Sequence, residues 1–283
     1  PVLKGEKTPL EKFAGAENTY TVETLMHDGR ALQGGTSHYF GQNFTKPFDV
    51  KFQNRQGKEE FGYQTSWGIS TRLIGAVIMA HGDNRGLKLP PYVAPIQAVI
   101  VPIAMNKVGV LEKATELYER LKTEYRMEID DRDQYSPGYK FNDWEMRGVP
   151  VRIEIGPRDI ENGVCVLVRR DTSEKIEVKL NEIDKILGNL LEKIQKNMFE
   201  DCRQRVVHKT TVAKNLEEFE KNLTENQGYV KPMWCGSDEC EEKIHDLTGA
   251  KSRCIPFDQE HISDICVCCG KPAHKMVVWG RQY

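Results

Sequence analysis

The chain has 283 residues, 39% of them hydrophobic and 29% charged, with a formal net charge of −2. That length suits two or three domains; no run of eighteen apolar residues offers a membrane span, and the opening PVLKGEKTPLEKF lacks the apolar core of a secretory signal. Charge is close to balance throughout, with 11 basic against 9 acidic residues over 1–92, 18 against 21 over 93–203 and 11 against 12 over 204–283, so bulk attraction to phosphate is excluded and any contact with nucleic acid rests on a few placed side chains.

The chain opens on Pro rather than Met, and it reads as processed or cut from something longer. In the first block, TYTVETLM (19–26) alternates as a strand does, and FDVKFQN (48–54) resembles another. Ser70 and Thr71 are placed to cap a helix running to about Ala80, with Leu73, Ile74, Val77 and Ile78 on one face, and Gly82 stops it. LPP at 89–91 reads as a linker. In the second block QAVIVPI (97–103), VRIEI (151–155), VCVLVRR (164–170) and KIEVKL (175–180) are strand-like. Helical periodicity marks 111–125 and 182–198. This alternation predicts an α/β domain with a mixed sheet. The third block has a helix near 212–224, then a cysteine-rich segment, then the short apolar strand KMVVW (275–279). It carries few apolar residues for its size, and a thin core needs a staple.

Six of the eight cysteines follow residue 234. Cys235-x4-Cys240 is separated by twenty-five residues from Cys266-Val-Cys268-Cys269-Gly270. Two close thiolate pairs suit a tetrahedral structural Zn2+ that closes a long loop. Cys266 with Cys269 is the better second pair, because Gly270 can then turn its amides toward a metal-bound sulfur; Cys266 with Cys268 competes with it. Clustered thiols in a long chain without a secretory signal point to the cytoplasm. Cys165 and Cys254, among apolar residues, read as core, and His245, His261 and His274 as surface or packed histidines.

Residues 29–44, GRALQGGTSHYFGQNF, gather small residues, hydroxyls, an amide, a histidine and two aromatics. Such a set makes either a polar pocket or an ordinary turn-rich loop. Arg72 heads the apolar segment TSWGISTRLIGAVIMAHGD, which reads as a buried helix. A buried cation needs an anionic partner. A helix N-terminus with Ser70, Thr71 and Arg72 suits a phosphate; the alternative is a buried Asp or Glu.

These motifs, in this order, resemble the prolyl-tRNA synthetases in the form found in archaea and eukaryotes and in some bacteria. GRALQGGTSHYFGQNF and TSWGISTRLIGAVIMAHGDNRGLKLPP are similar to the later half of the catalytic domain. KFNDWEMRGVPVRIEIGPRD (140–159) is similar to the anticodon-binding domain, and the cysteines and final WGRQY to the C-terminal domain. The resemblance implies an α/β (α+β) fold class in three parts. Part of a class II antiparallel catalytic sheet spans 1–92, an α/β anticodon-binding domain with a mixed sheet spans 93–203, and a small zinc-binding α+β domain spans 204–283.

It further implies that Arg72 is the catalytic arginine of class II motif 3 and contacts ATP, with Ser70 and Thr71 beside the nucleotide. Gln33 and Thr36 match its adenosine and phosphate side, while His38, Trp67 and Gly68 match the wall around proline. Mg2+ bridges the phosphates. Glu145 and Arg152 match positions that read guanines of the proline anticodon, and Lys175 serves similarly, one residue off the family spacing. Phe141 and Trp144 suit base stacking and core packing equally. The implied partners are ATP, L-proline and tRNA(Pro), in a cytoplasmic enzyme that is a homodimer at full length and uses no membrane. Motifs 1 and 2 and the TxE loop are not visible, so the expectation is a C-terminal part that forms no prolyl-adenylate alone. The other reading is a non-catalytic, zinc-stabilised tRNA-binding fragment or paralogue. The resemblance also hints that the Tyr283 carboxylate docks near the active site.

Overall fold

The computed structural model describes Pro1–Tyr283 and opens on β1 (Leu3–Glu6), which pairs antiparallel with β2 (Asn18–Leu25). β2 buries Thr19, Thr21, Glu23 and Leu25, the period-two pattern legible in its sequence. The segment read as a pocket or a turn-rich loop is in fact a long strand, β3 (Ala31–Gly41), antiparallel to β2. Two short strands, β4 (Lys51–Gln53) and β5 (Glu59–Phe61), make a separate hairpin, and β6 (Gln64–Gly68) returns to the free edge of β3. The predicted helix is α1 (Arg72–His81), begun where Ser70 Oγ accepts the Arg72 backbone N–H at 3.3 Å.

α1 is not the buried helix its composition suggests. Only Ala76 is buried, and Ile74 and Ile78 are 64% and 44% exposed. The helix rests on the sheet through Leu73, Ala76, Met79 and Ala80 against Met26 and Leu32. One helical face meets one sheet face, which leaves the rest of the apolar surface outside.

The middle of the chain runs β7 (Ala98–Pro102), α2 (Val110–Leu121), β8 (Met127–Ile129), α3 (Pro137–Met146), β9 (Val151–Ile155), α4 (Pro157–Glu161), β10 (Val164–Arg169), β11 (Lys175–Lys179) and α5 (Ile183–His208). The strands form one mixed sheet in the order β11-β10-β9-β7-β8, with β7 parallel to both β8 and β9 and the others antiparallel. All five residues of β7 are buried, because both sheet faces are covered. Ala98 and Ile100 meet α2 and α5, while Val99 and Val101 meet Trp144 of α3 and Val149. Ser136 Oγ accepts the Tyr139 N–H and Pro137 takes the first turn of α3, a start that the sequence encodes locally. Cys165 is core, and burial pushes its thiol up to about 12.

The remaining elements are β12 (Thr210–Val212), α6 (Leu216–Glu225), β13 (Tyr229–Lys231), β14 (Met233–Trp234), α7 (Asp238–Thr248), β15 (Lys251–Pro256), β16 (Lys275–Met276) and β17 (Val278–Gly280). The expected strand KMVVW is thus split between β16, which pairs with β14, and β17, which pairs with β13 and β15. β15 also pairs with β1, so one eight-stranded sheet runs β12-β13-β17-β15-β1-β2-β3-β6. By compactness the chain divides into residues 1–80 with 203–283 and residues 81–202, a different cut from three consecutive sequence blocks. The joined sheet also explains why the third block has a fuller core than its composition suggests. Leu25 and Ala31 of the first block pack with Phe219, Tyr229, Trp234 and Trp279. No helix is long and apolar enough to cross a membrane.

Candidate functional sites

Four thiols separated in sequence converge after β14 and at the start of α7. The sulfurs of Cys235, Cys240, Cys266 and Cys269 all lie within 4.8 Å of one another. Cys235 Sγ is 3.7 Å from Cys240 Sγ and 3.8 Å from Cys269 Sγ. Four sulfurs at about 2.3 Å from a tetrahedral zinc stand about 3.8 Å apart, whereas a disulfide needs about 2.05 Å. The donor set therefore fits a metal ion and not a disulfide. Gly270, at φ +70°, lets the chain reverse so that its N–H reaches Cys266 O at 3.0 Å, and Cys266 N reaches Lys271 O at 2.7 Å. The Lys271 backbone N–H lowers the Cys269 thiol to about 7, while burial pushes the Cys240 thiol up. Cys268 is not in the group. Neither are His245, whose Nδ1 lies 3.3 Å from Ala250 O, and His261, paired with Asp264 at 3.2 Å. Cys254 is fully buried, and its thiol is pushed up to about 12.

The candidates in the first block sit on β3, β6 and the head of α1. A bulge in β3 sets their directions. Gln33 pairs with Glu23 and Gly35 with Val22, so Gly34 is the extra residue. Alternation then resumes shifted by one, and Gln33, Thr36 and His38 share a face, opposite Glu23, Thr21 and Thr19. His38 is held on both ring nitrogens, by Thr19 Oγ1 and Thr36 Oγ1 at 3.0 Å each, and burial lowers its pKa. Gly68 pairs with Thr36, but Trp67 pairs with Ser37 and so stands on the other face from His38, 76% exposed. Gln33, Thr71 and Arg72 line one cavity of about 630 Å3 together with Gln282 and Tyr283. Thr36, Trp67 and Gly68 border a second, apolar cavity of about 350 Å3 with Tyr20 and Phe257. Ser70 serves the helix start. Tyr283 is strapped to the β2–β3 turn: its N–H reaches Ala31 O at 3.4 Å, its hydroxyl donates to Asp28, and Arg30 lies over its ring at 5.5 Å.

In the 81–202 unit, Glu145 of α3, Arg152 of β9 and Lys175 of β11 converge on one cleft of about 130 Å3. Arg152 lies over the Phe141 ring at 4.2 Å and donates to Glu154 Oε1 through Nε at 3.0 Å and Nη2 at 2.8 Å. The Lys175 ammonium reaches Glu154 Oε2 at 3.4 Å. Glu154, almost buried, therefore holds the two cations side by side. Sequence reading passed over it, although VRIEI places residues 152 and 154 on one face of the strand. Trp144 is core: it is buried, packs on Val99, Val101 and Val149, and its Nε1 donates to Asp130 Oδ2 at 2.7 Å. Arg85, from the segment before β7, also escaped notice. It lies on the cleft wall and pairs with Glu145 at 2.5 Å. Arg170 is anchored separately on Asp83, at 2.7 and 3.0 Å, and holds that carboxyl well below the usual range.

The 81–202 unit thus carries a cleft lined by charged side chains, and the unit made of residues 1–80 and 203–283 carries a four-cysteine cluster. Two stretches of the chain match family models: residues 97–190 match the anticodon binding domain, and residues 216–283 match the prolyl-tRNA synthetase C-terminal domain. Across all 283 residues the chain is 56% identical to the proline–tRNA ligase of Clostridium botulinum (strain Okra / Type B1), covering 59% of that protein. It is 53% identical over the same span to the proline–tRNA ligases of Clostridium novyi (strain NT) and Ruminiclostridium cellulolyticum, covering 59% of each. The chain corresponds to a C-terminal portion of a prolyl-tRNA synthetase, and it spans about three fifths of the length of the curated relatives it matches.

Proposed function

We propose that this chain works as part of a proline–tRNA ligase, which activates L-proline with ATP and transfers it to tRNA(Pro). The observation that carries this reading is the convergence of Glu145, Arg152 and Lys175, from three elements, on one cleft. Arg152 donates to guanine O6 and N7, and Glu145 accepts from guanine N–H groups. Lys175 supplies a further cation beside them. Glu154 keeps Arg152 aimed, so the cleft selects bases without a basic surface.

The cavity lined by Gln33, Thr71 and Arg72 supports the nucleotide half of the reaction. Proline's carboxylate attacks the α-phosphate of ATP and pyrophosphate leaves, so charge grows on phosphate oxygens. An arginine at the positive end of a helix dipole stabilises that charge, and ATP enters with Mg2+. Ser70 shapes this helix start. His38, fixed by Thr19 and Thr36, borders the proline side with Gly68. In the cysteine cluster, Zn2+ bound by Cys235, Cys240, Cys266 and Cys269 supplies no redox chemistry and acts as a clip.

Fluorescence anisotropy with a labelled anticodon stem-loop of tRNA(Pro) tests the reading. Arg152→Ala and Glu145→Ala should each weaken binding by about five- to a hundredfold, from about 1–3 kcal/mol per base contact. Replacing both anticodon guanines by adenine should do the same. Unchanged affinity in all three would refute the assignment.

A further inference from the structure

Arg85 lies outside the residues matched by the anticodon-domain model, yet it is built into the cleft. Its Nη1 sits 2.5 Å from Glu145 Oε1 and its Nη2 donates to Ser173 Oγ at 2.9 Å. The loop presenting it is fixed rather than draped. Asp83 and Gly86 exchange backbone hydrogen bonds at 3.0 Å each, and Asp83 Oδ1 accepts the Arg85 N–H at 2.9 Å. Arg170 and Lys88, at 2.7 and 3.1 Å, hold the Asp83 carboxylate in turn. Gly86 has φ +123°, and a Cβ there would stand 2.6 Å from Met146 O; only glycine lets the loop lie this close to the end of α3. Leu87 N then bonds Met146 O at 2.9 Å, one residue past Glu145.

Arg85 places one guanidinium N–H on the Glu145 carboxylate, where guanine would bring two adjacent N–H donors in one plane. Resting on the assignment of Glu145 as a guanine reader, we propose that Arg85 is a built-in stand-in for the base, which occupies Glu145 in the RNA-free protein and is displaced when guanine docks. Adenine and the pyrimidines lack that pair of donors on their pairing edges, so they do not replace the guanidinium. The Arg85 side chain is 49% exposed against 19% for Glu145, so it can swing outward while the acceptor stays in place.

The test is a binding cycle on the 283-residue chain, with the anticodon stem-loop carrying guanines and a second stem-loop carrying adenines. Arg85→Ala and Arg85→Gln should each tighten guanine-loop binding about two- to fivefold, the range an exposed ion pair corresponds to. Binding of the adenine loop should not change, the gain should vanish in a Glu145→Ala background, and the salt dependence should stay the same. Circular dichroism melting of each variant shows that the fold is retained. Unchanged or weaker guanine-loop binding, or an equal gain without Glu145, overturns the proposal. Weaker binding with the salt slope reduced by about one assigns Arg85 to a phosphate instead. If Glu145→Ala alone leaves affinity and guanine preference intact, the assignment of Glu145 fails, and the stand-in fails with it. If Glu145→Ala weakens binding but the Arg85 variants gain nothing, only the stand-in fails.

Discussion

Asp130→Ala should destabilise the 81–202 unit by about 3–5 kcal/mol, the cost of breaking a buried charge pair. The Asp130 side chain is wholly buried. Its carboxylate accepts from Arg132 Nε at 2.8 Å, Arg132 Nη2 at 2.7 Å and Trp144 Nε1 at 2.7 Å. The Lys140 ammonium, on a side chain 2% exposed, lies 3.7 Å away and bonds Asp130 O at 3.0 Å. Truncation leaves that ammonium buried without its counter-charge, and it orphans the indole N–H, for about 1–3 kcal/mol within that total. Asp130→Asn keeps an acceptor for Trp144 and loses only the charge, so its cost should be smaller, about 2 kcal/mol. Because the chain has two units, amide exchange in β7 and β9 under increasing urea follows this one alone. α3 carries Glu145, so anticodon stem-loop affinity should fall as these amides lose protection. A loss under about 1 kcal/mol for Asp130→Ala would show that Lys140 does not depend on this carboxylate, and the reasoning would be refuted.

The same group sets an acid limit. Burial opposes the Asp130 charge, but hydrogen bonds from Arg132 and Trp144 hold its pKa at about 2, against about 3.9 when unfolded. A depressed carboxylate contributes stability that is present above about pH 4 and lost as pH falls through about 2, here about 2.5 kcal/mol; urea titrations across that window should show a flatter loss in Asp130→Asn than in the parent chain, and parallel curves would count against it. For the cysteine cluster, plasma emission should find about one zinc per chain, lost in Cys235→Ser. A metal clip joining Cys240 to Cys266 closes a loop worth about 3–4 kcal/mol when treated as a cross-link, so chelation should lower the melting temperature of its unit by roughly 7–15 °C; a metal-free chain that melts unchanged would exclude the clip. In a full-length ligase carrying this sequence, Arg72→Ala should cut proline-dependent ATP–pyrophosphate exchange about a hundred- to a thousandfold while sparing anticodon binding; equal loss of both would indicate unfolding.

Local features of the sequence translated well into elements. The start of α3 rests on Ser136 and Pro137, β9 and β11 lie where their alternation placed them, and the cysteines that meet are those whose spacing suggested it. What was hidden depends on pairing. The bulge at Gly34 decides which residues share a face with Gln33, and no periodicity announces it. The resemblance groups Trp67 with His38 on one wall, yet the β3–β6 register puts them on opposite faces. Arg85 and Glu154 were invisible as site residues for a related reason. Arg85 meets Glu145 far away in sequence, and Glu154 matters only through the cations it holds, Arg152 on its own strand and Lys175 on β11, whereas single-sequence reading ranks residues by their own type.

The joining of the first and third blocks is the largest feature of this kind, and a buried polar cluster explains why it is specific. Glu23, with a fully buried side chain, accepts Lys7 Nζ at 3.0 Å, Arg253 Nε at 3.0 Å and Nη2 at 2.8 Å, and Thr21 Oγ1 at 2.8 Å. These residues come from β2, the segment after β1, and β15. Two cations around one carboxylate are a weak source of net stability, but a one-residue slip between β1 and β15 would leave a buried charge unpaired. The cluster therefore fixes register where the hydrophobic pattern of four-residue β1 is too short to do so. Arg253 Nη1 also donates to Gln282, which lines the same cavity as Gln33 and Arg72. β15 follows directly on α7, whose first turn carries Cys240. The cysteine cluster and the Arg72 cavity are thus parts of one folded unit, linked through α7, β15 and Arg253. Loss of the metal should loosen β15 first, and through Gln282 it should reach a cavity in which no cysteine takes part.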